Sequence, residues 1–180
     1  NIAVIKLNRP EKRNALDPET VMMFNEFSEK AKDPKFKAVI VTGDESAFCG
    51  GADITAAASE DGMGWESVEQ ALNEGYHVGL NNMIYMDKVV IAAVEGACAG
   101  IGCAYYLSSD ITVMAKSSFF QIGFSKIALI PDGGSNWLLT KVVGYQQAFR
   151  MAAEAKRVSA EECQDLGMCS EVCEDGSALE

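Results

Sequence analysis

With 180 residues, of which 48% are apolar, the chain is long enough to form the core of one globular domain. Its formal net charge of −11 argues against a surface for nucleic acid or an anionic membrane, because such surfaces need clustered Lys and Arg. No run of about 18 apolar residues occurs, so no membrane-spanning helix is predicted. We therefore expect neither nucleic acid nor a membrane among the partners.

The six cysteines follow neither the spacing of a disulfide framework nor the Cys-x-x-Cys pairs of a zinc site. The first residues, NIAVIKLNRP, also lack the pattern of a secretion signal. We therefore predict reduced thiols, no metal site and a cytoplasmic location, with a peroxisomal or mitochondrial matrix as the alternative in a eukaryote. Because the chain opens on Asn1 and stops in a polar stretch, we interpret it as a piece of a longer protein.

The first half of the chain is predicted to alternate strands with helices. Residues 2–7 and the short apolar run at 37–43 predict strands. Between them, Asp17-Pro18-Glu19 is a helix start, with an N-cap residue, a proline at the first helical position and an acid in the first turn. Residues 56–64 are small and polar, which predicts a mobile loop. A helix should follow, because apolar side chains recur at every fourth residue: Val68, Leu72, Tyr76, Leu80 and Ile84.

The second half continues the alternation. The apolar run at 88–96 predicts a strand covered on both faces, and residues 111–115 predict another. From Ser135 onward the pattern is helical, and residues 159–167 predict a capped helix that ends at Gly167. Strands that alternate with helices indicate an α/β fold, and no linker divides the chain, so we predict a single domain over all its residues.

Two glycine-containing turns each follow a predicted strand. The first contains Gly50 and Gly51, and the second contains Gly100 and Gly102 and leads into a helix. Glycine frees the backbone from ordinary φ limits, so successive N–H groups can point at one spot. Two donors from two turns would make an oxyanion hole, in which one donor contributes about 2.7–4 kcal/mol of transition-state stabilisation. Taken alone, such turns are better explained as simple bends, because glycine turns are common.

The order of several motifs narrows the interpretation. The opening loop LNRPEKRNAL is followed by VIVTG and AFCGGADI, then by AAVEGACAGIGCAYYLSSDITV, and finally by SAEECQDLGMCSEVCED. Together they resemble the crotonase superfamily, also called the enoyl-CoA hydratase/isomerase family, over nearly the entire chain. The resemblance implies a ClpP/crotonase-like fold, in which repeated β-β-α units form a stacked spiral core. The family's C-terminal helices, which complete the acyl pocket and pack homotrimers or dimers of trimers, are missing from this sequence.

The resemblance also implies an acyl-CoA ester as substrate and no cofactor besides the coenzyme A that the ester carries. The thioester carbonyl would be held by the backbone N–H groups of Ala52 and Ile101. Lys12 or Arg13 would meet the phosphates or the adenine of coenzyme A, although solvated loop charges are the alternative interpretation. The other residues expected to contact the substrate are Gly51, Asp53, Ile54, Thr55, Gly100 and Phe124.

The chain departs from the hydratases of this family at both of their catalytic glutamates. The position in the helix after the second glycine turn is Ala104, and the position before the Ile-Pro pair is Phe124. Neither side chain can hold or activate water, so a hydratase of the familiar kind is disfavoured. A dehalogenase branch needs a histidine base, but His77 is the only histidine and is expected to be solvated on a helix flank.

One carboxylate, Asp132, lies between two apolar runs in IALIPDGGSNWLL. It is similar to the acid that follows Ile-Pro in Δ3,Δ2-enoyl-CoA isomerases and in the ring-epoxide isomerases of phenylacetate breakdown. There it would take a proton from C2 of the thioester and return it at C4, while the oxyanion hole holds the enolate. The pKa of this acid would be raised by an apolar pocket of Phe124, Ile127, Ile130 and Trp137.

Other interpretations stay open at this point. Pro-Asp-Gly-Gly is also a turn sequence, and Asp132 or Ser135 could cap the helix that begins near Asn136. The leading functional hypothesis is an enoyl-CoA isomerase. The second is a hydratase or hydrolase that uses Asp132 with water, and the third is an acyl-CoA-binding module without catalysis.

Overall fold

Two sheets form the framework of the fold, and the helices are arranged around them. The computed structural model describes residues 1–57 and 65–180. Within this part, five strands form a first, wholly parallel sheet in the order β1-β2-β4-β6-β9. These strands are β1 (Ile2–Lys6), β2 (Ala38–Thr42), β4 (Val89–Val94), β6 (Ile111–Ala115) and β9 (Glu171–Cys173).

The second sheet consists of short strands in the order β3-β5-β7-β8. Its members are β3 (Ala47–Cys49), β5 (Ala97–Ala99), β7 (Phe119–Gln121) and β8 (Val158–Ser159). The first three are parallel to one another, and β8 pairs antiparallel to β7. The sequence did not predict β3, β5 or β8, because strands of two or three residues carry too little pattern and depend on partners that are distant in the chain.

Helices connect the strands on the outside of the sheets. Where the structure describes the chain, they are α1 (Pro18–Lys30), α2 (Ile54–Ala57), α3 (Val68–Gln70), α4 (His77–Ile84), α5 (Gly102–Leu107), α6 (Ser135–Val143), α7 (Tyr145–Glu154) and α8 (Ala160–Asp165). A π-helical segment at Ala71–Tyr76 joins α3 to α4. The predicted loop at 56–64 begins within α2, and its residues 58–64 lie outside the described part of the chain.

The predicted helix ends are confirmed by their caps. Asp17 accepts a hydrogen bond from the N–H of Thr20, with Pro18 at the first helical position. Ser159 and Glu162 form a reciprocal capping box at the start of α8. The apolar face predicted over 68–84 is buried at Tyr76 and Leu80, whereas Val68 at one end is 74% exposed and Ile84 at the other is 38% exposed. No helix in the described ranges is long and apolar enough to cross a membrane.

The fold prediction is confirmed by the repetition of one unit. Each unit contributes its first strand to the five-stranded sheet and its second strand to the short sheet, and a helical segment then leads to the next unit. Three such units begin at β2, β4 and β6, and their parallel stacking brings successive turns against one another. Large side chains such as Tyr105, Tyr106 and Phe120 are fully buried in the core.

The stacking brings the two glycine turns into contact. Gly51 has a φ of 104° and Gly100 a φ of 54°, values that favour glycine over other residues. A Cβ atom on Gly51 would lie 3.5 Å from the Cα of Gly100, and one on Gly102 would lie 2.8 Å from the Cβ of Cys49. The end of β3 and the start of α5 therefore approach so closely that side chains larger than hydrogen do not fit between them.

Candidate active site

A cavity of about 520 Å³ lies where the two glycine turns meet. Its walls come from the opening loop, from both turns, from the helix before β4 and from the segment that precedes α6. The residues that line it are Lys12, Ala15, Gly50, Gly51, Ala52, Asp53, Ile54, Thr55, Tyr76, Ala99, Gly100, Ile101, Gln121, Gly123, Phe124, Lys126, Ile127, Leu129 and Asp132. Of the residues predicted to bind the substrate or to carry the catalysis, all but Arg13 are therefore brought together.

Two backbone N–H groups at this cavity are free. The N–H of Leu16 donates to the carbonyl of Gly51 over 2.8 Å, and the N–H of Asp53 donates to the carbonyl of Leu16 over 2.9 Å. Because neighbouring groups of an extended segment alternate in direction, the N–H of Ala52 points away from Leu16. Ile101 is the N-cap residue of α5, where N–H groups lack helical partners. Within the described ranges, neither N–H donates a hydrogen bond.

A partly buried ion-pair network holds the turn that carries Ala52. The Asp53 side chain is 5% exposed, and its Oδ1 accepts from the N–H of Thr55 at 3.1 Å and from the Thr55 hydroxyl at 2.6 Å. Its Oδ2 accepts from Arg9 Nη2 at 3.1 Å, and the same nitrogen lies 3.1 Å from Asp17 Oδ2. The sequence predicted Asp53 as a substrate contact, but its carboxylate is engaged within the protein, and Arg9 was missed altogether.

The basic residues of the opening loop behave differently from each other. Lys12 lines the cavity, and its Nζ donates to the Thr55 hydroxyl at 3.3 Å. Ile54 also lines it and is 61% exposed. The Arg13 side chain is exposed and does not line the cavity, and its backbone carbonyl accepts from the N–H of Gly50 at 2.8 Å. Of the two alternatives predicted for contact with coenzyme A, Lys12 lines the cavity and Arg13 does not.

Asp132 is not a helix cap. Its backbone carbonyl accepts from the N–H of Ser135 at 2.9 Å and from the Ser135 hydroxyl at 2.6 Å, so the main chain closes this turn. The N-cap residue of α6 is Gly134, and no side chain caps the helix. Carboxylate oxygen Oδ1 of Asp132 is buried and has no hydrogen-bond partner among the described residues. The capping interpretation is therefore wrong, and Asp132 instead lines the cavity with this oxygen unpaired by any described residue.

Burial raises the pKa of the Asp132 carboxyl from 3.8 to about 6. Apolar side chains of Phe124, Ile127 and Leu129 share the cavity with it. The predicted pocket was wrong in two members, because Ile130 is 81% exposed and Trp137 is 57% exposed, and neither lines the cavity. Both lie on the outer surface of the turn and of α6, where the Trp137 ring instead meets Lys141 Nζ at 3.5 Å.

The Asp132 turn lies against the second glycine turn through its neighbour Gly133. Gly133 has a φ of 59°, and a Cβ atom there would lie 2.5 Å from Ile101 Cδ1 and 3.2 Å from Ala104 Cβ. Ala104 and Phe124, at the two positions where the resemblance led us to look for the glutamates of a hydratase, are both buried. His77 is half-buried rather than solvated and does not line the cavity. The described residues contain no cluster of His, Cys, Asp and Glu that could hold a metal ion.

Several lining residues were not predicted. Tyr76 was assigned only to a helical stripe, and the positions of Gln121 and Lys126 carry no local pattern. Gln121 Nε2 donates to the carbonyl of Ala155 at 2.8 Å, which ties β7 to the end of α7. These residues meet only because three units of the fold stack, and the sequence holds no local signal for such a meeting.

A comparison with protein families matches the whole chain. The family model described as enoyl-CoA hydratase/isomerase covers residues 1–180. A protein from Rhodobacter capsulatus named "Probable enoyl-CoA hydratase" is 36% identical over 97% of this chain. The 1,2-epoxyphenylacetyl-CoA isomerase of Escherichia coli is 33% identical, also over 97% of this chain. The chain spans 66% and 67% of the length of these two relatives.

Solved structures agree with this result. The crystal structure of an enoyl-CoA hydratase from Polaromonas sp. JS666 superposes with a TM-score of 0.89 at 32% identity, over 99% of this chain and 69% of that one. An enoyl-CoA hydratase from Bacillus anthracis has a TM-score of 0.91 at 25% identity. The similarity therefore extends from the sequence motifs to the arrangement of both sheets.

The raised pKa of Asp132 predicts a pH-dependent cost in stability. A carboxyl that binds its proton more tightly when folded loses stability as the pH rises from 3.8 through about 6. Asp132→Asn should therefore be more stable than the wild type at pH 7.5, by at most about 3 kcal/mol because the carboxyl partly faces the cavity. The gain should shrink toward pH 4. Urea unfolding at both pH values measures it.

The control for the loss of one negative charge is Glu45→Gln, because the Glu45 side chain is exposed in the turn between β2 and β3. This variant should differ little from the wild type at either pH. If Asp132→Asn is less stable than the wild type at pH 7.5, the carboxylate is stabilised by its surroundings and the burial argument fails.

Proposed function

The chain belongs to the enoyl-CoA hydratase/isomerase family, and on this premise we propose that it shifts a double bond in an acyl-CoA ester, with Asp132 as the proton shuttle. The observation that carries the proposal is one cavity lined by Ala52, Ile101 and Asp132, whose two backbone N–H groups and one carboxylate oxygen have no hydrogen-bond partner among the described residues. The two N–H groups would stabilise an enolate, and the carboxylate would carry the proton between C2 and C4.

The oxyanion hole consists of the N–H groups of Ala52 and Ile101. Both would donate to the thioester oxygen, which becomes negative when the proton at C2 leaves. Gly51 and Gly100 let the two turns approach closely enough to share that oxygen. Because the N–H groups are fixed by the backbone, they need no reorganisation as the charge develops.

Coenzyme A would lie along the outer part of the same cavity. Lys12 and Lys126 are the cations among the described lining residues, and each suits a phosphate or the adenine. Ile54 and Thr55 would line the path of the pantetheine chain. We propose coenzyme A as part of the substrate and no separate cofactor, since acid-base chemistry with an oxyanion hole suffices for a double-bond shift.

Asp132 would act first as a base and then as an acid. It takes the proton from C2, which places the negative charge on the thioester oxygen, and it returns the proton at C4 of the dienolate. A pKa of about 6 leaves the carboxyl ionised at neutral pH while making it a stronger base than an exposed aspartate. One acid suffices for this reaction, because the double-bond shift only moves a proton and does not add water.

Removing the acid tests the proposal. Asp132→Asn should lower kcat for 3-enoyl-CoA esters by at least about 100-fold, because general-base catalysis typically contributes 10²–10⁴-fold. The Kd for a saturated acyl-CoA of the same length should change less than about threefold, since binding does not use the proton. The measurements are the rise in 2-enoyl thioester absorbance and isothermal titration calorimetry.

Glu45→Gln again serves as the charge control and should isomerise at the wild-type rate. Turnover by Asp132→Asn at that same rate would remove Asp132 from the mechanism. Binding of acyl-CoA esters without turnover in the wild type would instead favour a non-catalytic acyl-CoA-binding module.

Hydration is the second candidate, because the relatives include proteins named as hydratases. Asp132 would then have to activate water alone, since Ala104 and Phe124 stand where hydratases carry glutamates. Turnover in water enriched in heavy oxygen separates the two reactions. Our proposal predicts no solvent oxygen in the product, whereas one labelled oxygen per product molecule would establish the hydratase.

A further inference from the structure

The cavity contains a second polar group that the proposed chemistry does not use. Tyr76 lines the cavity together with Asp132, and the residue is only 4% exposed. Its hydroxyl oxygen is buried and has no hydrogen-bond partner among the residues that the structure describes. Burial, and then the nearby charge of Asp132, raise the pKa of Tyr76, so the hydroxyl remains a donor at neutral pH.

The local backbone fixes this hydroxyl in position. Tyr76 ends the π-helical segment Ala71–Tyr76, in which the N–H of His77 donates to the carbonyl of Leu72, five residues back. Asn25 Nδ2 donates to the carbonyl of Gly75 at 3.0 Å. The Tyr76 ring also packs against Trp65, with the ring centroids 6.1 Å apart. Single π-helical turns of this kind occur often at functional sites because they redirect one side chain.

An unpaired buried hydroxyl costs about 1–3 kcal/mol, and a ligand that pairs with it recovers part of that cost. The other uncharged polar side chains at the cavity already have partners: the Thr55 hydroxyl donates to Asp53, and Gln121 donates to Ala155. An acyl chain of carbon and hydrogen alone would leave the Tyr76 donor unpaired. A chain that carries an oxygen atom would pair with it.

We propose that the Tyr76 hydroxyl donates a hydrogen bond to an oxygen atom on the acyl group, so that the substrate class is an oxygenated acyl-CoA with a hydroxyl or ether-type oxygen beyond C3. This inference rests on the proposed function, because it assigns the acyl group to the same cavity. It makes Tyr76 a specificity-determining residue rather than part of the proton transfer.

Saturated esters that cannot isomerise test the inference without turnover. The probes are acyl-CoA esters of one chain length that carry a hydroxyl at C4, C5 or C6, or none. A C3 hydroxyl is left out, because a hydratase would bind that ester as its product. At one position at least, the wild type should bind the hydroxylated ester about tenfold more tightly than the plain one, since about 1.4 kcal/mol is a factor of ten.

The same affinity ratio is then measured in two variants. Tyr76→Phe keeps the ring against Trp65 and removes only the donor, so its ratio should fall to about one. Tyr105→Phe is the matched control, because the Tyr105 hydroxyl is also buried and unpaired but does not line the cavity. Its ratio should equal that of the wild type. Thermal melting of both variants shows whether each is folded.

Two results would overturn the inference. One is a wild type that shows no preference at any of the three hydroxyl positions, which needs no variant at all. The other is a preference that Tyr76→Phe retains, which would mean that Tyr76 pairs with Asp132 or with water instead. Neither result depends on turnover, so failure of this inference is distinguishable from failure of the proposed double-bond shift.

Discussion

The close approach of two glycine turns is the constraint on which the site depends. Gly51 and Gly100 adopt φ values that favour glycine, and a Cβ atom on Gly51 would lie 3.2 Å from the Ala99 carbonyl oxygen, tighter than most such contacts. At the cavity that these turns share, the N–H groups of Ala52 and Ile101 donate to no group among the described residues. The Arg9–Asp53–Asp17 network then holds the first turn rigid from behind. Two sheets built from alternate strands supply the stacking that brings the turns together.

The carboxyl of Asp132 completes the site at an energetic cost. The Asp132 turn is closed by a main-chain hydrogen bond, and its Gly133 lies against Ile101. Among the described residues, no group pairs with Oδ1 of Asp132. A protein that needed only stability would pair or replace such a group. The same surroundings strengthen the acid as a base. The proposed reaction needs one acid and no activated water. This fits Ala104 and Phe124, because neither side chain can activate water.

The sequence predicted those parts of the structure that depend on residues close together in the chain. The helix start at Asp17 and the longer parallel strands follow from periodicity and caps, and the two glycine turns follow from composition. The short strands β3, β5 and β8 could not be predicted, because their pairing is non-local. The same holds for Tyr76, whose side chain is directed by a π-helical turn. Ile130 and Trp137 were misplaced because an apolar residue near a site can equally face outward.

The central claim, that Asp132 carries one proton from C2 to C4, is tested most directly by labelling that hydrogen. A 3-enoyl-CoA ester labelled with deuterium at C2 is isomerised in ordinary water under single-turnover conditions, and the product is examined by mass spectrometry and NMR. If one half-buried carboxyl carries the proton between carbons, part of the deuterium should appear at C4 of the product, because the cavity slows its exchange with solvent. A product that carries only solvent hydrogen at C4 would contradict the single-shuttle account.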